Sequence, residues 1–340
     1  MIKKAVISIL ILIVIALGIY LLFPFNEPQK KVVIYVAHDQ DYSEPILKDF
    51  EESTGIQVDA LYDTEATKTV GLVNRLIAEK NNPIADVFWN NEVMRTVMLK
   101  KDGLLEQYCS PQAADIASVY KDENCYWTGF AARARVIISN TDMMSDNPTS
   151  IYDLKDEEWK GKTCISNPLL GTTSTHAAAI FALMGDEDAE KFFTDLKEND
   201  IQILESNSMV RDQVVAGECY FGLTDTDDAY DAVNEGKHVK MIFPDQGEND
   251  IGDLIIPNSV MIIKGAPHSE EAKILIDYLL SSQVEEKLAA SALQMPLKES
   301  SNAPEGVPDV NDIKPLNLTQ EQIYDKLDVS NTFVQDVFLK

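Results

Sequence analysis

Residues 219–237 read CYFGLTDTDDAYDAVNEGK, and three carboxylates, Asp225, Asp227 and Asp228, crowd the point where an apolar run gives way to a helical pattern. Carboxylates this close can relax the positive end of a helix dipole at ~0.3–1 kcal/mol each. They can also hold a hard cation, or grip a cationic or hydroxyl-bearing solute. Asp227 and Asp228 suit the first turn of a helix capped by Thr226, which leaves Asp225 as surplus. A second cluster, Thr172, Thr173, Ser174 and Thr175 in GTTSTHAAA, lies where a loop feeds a helix. A helix start presents unpaired N–H groups and a positive dipole end, so hydroxyls beside it make a receptor for phosphate, phosphonate or carboxylate. A plain cap needs only one of these hydroxyls. His176 either lines that receptor or packs beneath it.

Lys68, Arg133, Arg135 and Arg211 are candidate partners for an anion, with salt bridges to the many acids as the other reading. On a strand, Arg133 and Arg135 share a face, so both reach a ligand or both are solvated. No G-x-S-x-G or other nucleophile–base motif is present. That counts against an enzyme, with a cleft hydrolase using Asp and His kept as the alternative of another class. His38, His176, His238 and His268 are scattered and there is no C-x-x-C, so a zinc cluster is not expected. No cofactor is expected beyond a bound metal ion, for which Asp39, Asp227 and Asp228 are the candidate ligands. Cys109 and Cys125 flank a turn-rich segment and can close a loop; Cys164 and Cys219 lie in strand patterns and either pair or stay as buried thiols.

The elements that must position these residues alternate. KVVIYVA (31–37) is a continuous apolar strand, followed by a helix with Ser43 as N-cap and Pro45 in its first turn. The strand IQVDALYD, a helix over 66–80 and the short strand ADVFW come next. A second series starts at ARARVIISNT and runs through GKTCIS and CYFGL; DLIIPNSVMIIKGA follows, then two helices, and a last helix opens with a capping box from Thr319 to Gln322. Alternation of this kind predicts parallel sheets flanked by helices, with ligands bound beyond the carboxyl ends of the strands. At 340 residues the chain has room for two such units. A balance of 29 Lys and Arg against 56 Asp and Glu opposes nucleic acid or an anionic membrane surface as partner. MIKK precedes an uncharged apolar run from Ala5 to Phe23. That run predicts a signal anchor over 1–25 at the cell membrane, with a cleaved signal as the alternative, and either places the soluble part outside the cytoplasm. A sensory ectodomain is a further alternative, although MIKK leaves it no cytoplasmic part of its own.

KDFEESTGIQV, ADVFW, ARARVIISNT, NSMVRDQVVAGECYFGLT, the stretch from Asp253 to Leu288 and MPLK together resemble the solute-binding proteins of ABC importers. The resemblance is to their ferric-iron-binding branch, with the type II periplasmic-binding-protein fold. It covers roughly residues 31–300. It implies two α/β lobes, each a mixed, mostly parallel sheet flanked by helices: 31–135 plus 260–340 in one, 136–259 in the other. It also implies a monomer that clamps its ligand by hinge closure and hands it to ABC permease subunits. In that branch a histidine, a glutamate and two adjacent tyrosines hold iron. Here the histidine position falls on Asp39 with His38 beside it, the glutamate position on Asn91 with Glu92 next, and the tyrosine positions on Asp227 and Asp228. Carboxylates suit calcium, magnesium or manganese as well as iron, so a tyrosine-dependent ferric site is not expected. The expected ligand is a phosphorylated, phosphonate or zwitterionic small molecule, with a metal ion as the alternative. The candidate contacts are Asp39, Asn91, Glu92, Arg133, Thr172, Thr173, Ser174, Thr175, Arg211, Asp225, Asp227 and Asp228.

Overall fold

The computed structural model describes residues 29–63 and 70–338; the expected anchor at 1–25 and Lys68 lie outside them. Among the described residues no helix is long and apolar enough to cross a membrane. The chain runs β1 (Lys31–Val36), α1 (Gln40–Thr54), β2 (Gln57–Tyr62), α2 (Val70–Glu79), β3 (Val87–Asn90), α3 (Met94–Lys101) and β4 (Leu105–Glu106). It continues with β5 (Thr128–Asn140), β6 (Thr163–Ser166), α4 (Gly171–Met184), α5 (Asp186–Glu198), β7 (Gln202–Leu204) and α6 (Asn207–Val215). Then follow β8 (Phe221–Asp225), α7 (Thr226–Asn234), β9 (Val239–Ile242), β10 (Ile255–Ile263), α8 (Ser269–Leu279) and α9 (Ser282–Ala292). Two short helices, α10 (Gln320–Tyr324) and α11 (Leu327–Phe338), complete the described chain.

The strands form one path, β2-β1-β3-β10-β5-β8-β6-β7, with β4 on β10 and β9 on β5. β5 belongs to both halves of it. From Thr128 to Ala134 it pairs with β10, and from Arg135 onward with β8 and β9. The partner switch between Ala134 and Arg135 makes β5 the connection between two α/β lobes. The expected division at 259–260 falls inside β10, which pairs with β5 from Ile255. The sheets are mixed, not mostly parallel: β1–β2, β1–β3, β6–β7 and β6–β8 are parallel, but every pair that includes β5 or β10 is antiparallel. Both strands are extended connections and not the second strand of a helical crossover, so the parallel rule does not bind them.

Local chemistry fixes several boundaries differently from the sequence expectation. α1 begins at Gln40, with Asp39 at the cap position, and Ser43 sits inside the helix with its hydroxyl donating back to the Asp39 carbonyl at 2.8 Å. Pro45 therefore lies beyond the first turn, where it removes one backbone bond. α7 begins one residue early, at Thr226, because the Thr226 hydroxyl is engaged elsewhere: it accepts from the Ala134 N–H at 3.2 Å. The capping box at α10 forms as the sequence indicates, with Gln322 N–H on the Thr319 hydroxyl and Thr319 N–H on the Gln322 amide oxygen.

Along β5 the side chains alternate between cores, as a pleated strand requires. Val136 and Ile138 pack with Val210 and Val214, whereas Ile137 packs with Phe181 and Phe193 on the other face. At an irregularity within the stretch of β5 that pairs with β10, the buried Glu285 of α9 accepts from the N–H groups of Ala131, Leu297 and Lys298. The first of these bonds satisfies the Ala131 N–H, which a register shift opposite Pro257 and Asn258 leaves off the ladder. α10 packs between α3 and α4, and α11 on α4 and α5, so the chain's last helices touch both lobes.

Cys109 and Cys125 are joined by a disulfide, while Cys164 and Cys219 are buried free thiols. The bridge closes a loop with a sequence separation of 16. Replacing both cysteines by serine is expected to lower the free energy of unfolding by about 3 kcal/mol. Denaturant unfolding measures this, and an unchanged midpoint would show that the loop's side-chain bonds suffice without it.

Candidate functional site

Where the two lobes face each other lies a cavity of about 250 Å³. His38, Asp39, Tyr42 and Asn91 line it at the carboxyl ends of β1 and β3, together with residues 291–294 at the end of α9. Arg211 on α6 and Asp227, Asp228 and Asp231 on α7 line it from the second lobe, and Arg133 reaches it from β5. Strand ends lead into helix starts on both sides, the placement expected of ligand sites in α/β sheets. Asp227, Asp228 and Asp231 share one helical face, since residues three and four apart are neighbours.

Beneath the cavity lies a fully buried ion pair. The Arg135 guanidinium, with no exposed surface, donates from Nη1 to Asp225 Oδ1 at 2.6 Å. Asp225 Oδ2 accepts from the Thr172 hydroxyl at 2.7 Å and from Asn207 Nδ2 at 2.9 Å. Asn207 Oδ1 in turn accepts from Arg135 Nη1 at 3.0 Å. Both oxygens of Asp225 are thus spent internally, and its side chain makes no cap bond to α7. His176 packs under the site: burial first, and the Arg135 charge second, push its imidazole down to about 3, so it stays neutral.

Arg133 and Arg135 do not share a fate. Arg135 is interior, whereas Arg133 points into the cavity, donates from Nη2 to the Asn91 carbonyl at 2.5 Å and holds Nη1 3.8 Å from Asp225 and 3.7 Å from Asp227. Arg211 is paired too, with Asp212 at 2.8 Å, Asp231 at 3.0 Å and Asp228 at 3.9 Å. Among the described residues that line the cavity the acids remain in excess. Burial raises the proton affinity of Asp228 well above the ordinary carboxylate range, and the charges of Asp227 and Asp225 raise it further. Asp227 is raised as well, by burial first, with Arg133 pulling the other way. Oxygens of Asp225, Asp227 and Asp228 lie within 4.8 Å of one another, close enough for one cation.

Asp39, Asn91, Arg133, Arg211, Asp227 and Asp228 are therefore brought together as the sequence suggests. Glu92 is not. It is buried at the start of α3, where its carboxylate accepts from the N–H groups of Met94 at 2.5 Å and Arg95 at 3.0 Å. The hydroxyl cluster also stays off the cavity wall. All four residues are helical and buried, not in a loop before the helix. Thr172 serves the ion pair, Thr173 contacts Ser166, Ser174 donates to Asn331 at 2.9 Å, and Thr175 donates to the Gly171 carbonyl at 3.5 Å. Hydroxyls inside a helix are satisfied by the nearest carbonyl or packed neighbour, which takes them from a ligand.

His38, Tyr42, Asp231, Leu293 and Gln294 line the cavity without having been singled out as contacts from the sequence. Gln294 Nε2 and His38 Nε2 lie 3.0 Å apart, and His38 Nδ1 faces the Asp39 carbonyl at 3.3 Å. That network assigns the His38 proton to Nδ1. Helical spacing could have found Tyr42 and Asp231, three residues after Asp39 and Asp228; nothing local could have found Gln294.

A family model described as bacterial extracellular solute-binding protein matches residues 82–326. The iron uptake protein A1 of Synechocystis is 25% identical over 282 residues, 79% of this chain and 76% of that protein. The putative 2-aminoethylphosphonate-binding periplasmic protein of Salmonella typhi is 26% identical over 231 residues, 67% of this chain and 66% of that protein. In structure, iron-bound HitA of Pseudomonas aeruginosa superposes with a TM-score of 0.80 at 23% identity, covering 91% of this chain and 99% of that one. At that identity the likeness is one of fold.

Arg135→Met removes the counter-charge of a buried carboxylate and is expected to cost about 3–5 kcal/mol of stability; chemical denaturation measures it. Asp228→Asn is expected to do the reverse at neutral pH. The Asp228 carboxyl holds its proton more tightly folded than unfolded, so stability is lost as pH rises from the ordinary value near ~3.9 through the raised one. Asparagine does not titrate, so the variant's melting temperature should exceed the parent's at pH 7 and converge with it under acid conditions. A lower melting temperature at pH 7 would contradict that electrostatic account.

Proposed function

The chain belongs to the bacterial extracellular solute-binding protein family, and on that premise we propose that it is the extracytoplasmic solute-binding component of an ABC importer. Its ligand, in this reading, is a small zwitterion of the amino-phosphonate or amino-acid type. The observation that carries the reading is the charge pattern of the cavity: Arg133 and Arg211 share it with Asp39, Asp227, Asp228 and Asp231. Buried carboxylates with further carboxylates beside them favour the entry of a positive group: burial first, and neighbouring acids second, raise the proton affinity of Asp227 and Asp228. A ligand ammonium supplies it. The ligand's anionic end competes with Asp212 and Asp231 for Arg211, whose guanidinium keeps 23% of its side chain exposed.

Size agrees with this chemistry. About 250 Å³ is room for roughly eight waters at ~30 Å³ each, far more than a bare ion fills and suited to a compact metabolite. Tyr42 and the ring of His38 add a partly apolar wall. Burial, and then the charges of Asp39 on one lobe and Asp231 and Asp227 on the other, raise the Tyr42 phenol, so its hydroxyl stays a neutral donor. Closure of the lobes about β5 would bury the ligand and strengthen each of these contacts by excluding water. The relative from Salmonella typhi is named for a ligand that carries both charges, which supports the same class. The site as read binds and releases; nothing in the reading calls for bond cleavage. A permease and its ATPase are the partners it implies.

Purified full-length chain should gain thermal stability with 2-aminoethylphosphonate or an amino acid, and less with inorganic phosphate or a simple amine alone. At pH 7 Asp228→Asn should weaken zwitterion binding at least tenfold, and lowering the pH through the raised carboxyl range should weaken binding to the parent in the same direction. A shift produced by phosphate alone, or one untouched by Asp228→Asn in a calorimetric titration, would overturn the zwitterion assignment.

A further inference from the structure

We propose that Arg133 is a specificity-determining residue that keeps metal ions out of this cleft, because its guanidinium occupies the place in the carboxylate cluster that a bound cation would fill. The proposal rests on the reading of this cavity as the ligand site, and it settles which positive group the acids accept.

The geometry is specific. A hard cation held by Asp225, Asp227 and Asp228 would lie about 2.0–2.6 Å from each oxygen. Arg133 Nη1 already stands 3.8 Å and 3.7 Å from the oxygens of two of these acids. An ion and a guanidinium cannot both occupy that space, and neither yields by losing its charge, since arginine does not deprotonate in proteins. Arg133 is also held in place. Its Cα is fixed in β5, its Nη2 is anchored to the Asn91 carbonyl, and only 13% of its side chain is exposed, so it cannot readily swing into solvent. Its Nε is buried without a hydrogen-bond partner. A guanidinium that leaves a donor unsatisfied is placed by the charge around it more than by its hydrogen bonds. Asp225 contributes charge but no open oxygen, since Arg135, Thr172 and Asn207 take both. Asp227 and Asp228 keep oxygens that face the cavity and would be the ligands if the guanidinium were gone.

An ammonium group escapes this exclusion. It needs to approach only one or two carboxylates from the cavity side, at hydrogen-bond distance, and Asp228 is the acid of the three for which no contact with Arg133 within 4 Å is found. A metal held by Asp227 and Asp228 must take the Asp227 oxygen that Arg133 Nη1 faces at 3.7 Å. Arg133 thus separates two kinds of cationic ligand by position and not by net charge.

The test is a terbium(III) titration, read as tyrosine-sensitised luminescence, on the full-length parent, Arg133→Gln, Arg133→Lys and the double variant Arg133→Gln/Asp227→Asn. The parent should show no saturable one-to-one binding, Arg133→Gln should bind at least tenfold more tightly, and the double variant should lose the gain. Arg133→Lys, which keeps the charge, should stay within threefold of the parent. Tight one-to-one binding by the parent that Asp227→Asn abolishes would overturn the proposal, and that arm stands even if Arg133→Gln fails to fold. So would an Arg133→Gln that gains nothing, or an Arg133→Lys that gains as much. The zwitterion thermal shifts of the parent are a separate readout: their absence beside the expected terbium pattern would sink the assigned ligand and leave the role of Arg133 intact.

Discussion

The structure depends on how β5 passes from one lobe to the other, and that passage is held by the buried pair of Arg135 and Asp225. Arg135 is the first residue of β5 to pair with the second sheet, and its backbone partner there is Asp225 itself. The two side chains close an ion pair across the same rung. A buried pair of this kind contributes little net stability over an apolar one, but it tolerates no misplacement, because either charge left alone is costly. It therefore fixes the register of the second lobe against the connecting strand. Thr172 from α4 and Asn207 from α6 complete the coordination, so two helices are located by the same contact. Thr226, next in sequence, ties Ala134 on the other side of the partner switch.

This arrangement sorts three neighbouring acids into separate roles. Asp225 is neutralised from below and belongs to the scaffold. Asp227 and Asp228, on the following turn, have no comparable partner: Arg133 is shared and stands at nearly 4 Å, and Arg211 is divided among Asp212, Asp228 and Asp231. The scaffold ion pair thus supplies a rigid base on which under-neutralised carboxylates are exposed to the cavity. Stability and binding pull apart here. The burial, and after it the neighbouring acids, that raise the proton affinity of Asp228 are unfavourable to the empty fold, and a positively charged ligand of the proposed kind would offset them.

Much of this was legible in the sequence, and the losses have physical causes. The order of strands and helices, the capping box at Thr319 and the loop closed by Cys109 and Cys125 are local matters, carried by periodicity, cap chemistry and spacing. Asp39, Asn91, Asp227 and Asp228 reach the cavity because strand ends in α/β sheets lead into it, and Arg211, singled out as an arginine suited to an anion, reaches it from the middle of α6. The hydroxyls of 172–175 misled because composition reports how many hydroxyls there are and not where they point; each is consumed by a tertiary neighbour or by its own helix. Glu92 misled in the same way, since an acid two residues before α3 is as good a cap as a ligand. Strand parity correctly put Arg133 and Arg135 on one face, but the strand crosses between lobes there, so one face meets a cavity and then a core. Gln294 joins His38 across 256 positions of sequence and had no local signal at all.

The comparison with iron-associated relatives is most informative where the chemistry diverges. Fold likeness to HitA extends over 91% of this chain, and the positions where the sequence resemblance expects the tyrosines of the ferric branch carry Asp227 and Asp228 here. Exchanging phenolate for carboxylate does not by itself exclude metal, for carboxylates bind hard cations well. What changes the outcome is that the carboxylates stand beside a fixed guanidinium in a cavity too large for an ion alone. In the proposed reading, a positive charge covalently attached beside the cluster leaves the remaining acids to recruit a cation at the edge, and a ligand with an ammonium at one end and an anion at the other would meet both that edge and Arg211. Selectivity in this cleft then follows from where the fixed charges sit, a property set by β5 and α7 before any ligand arrives.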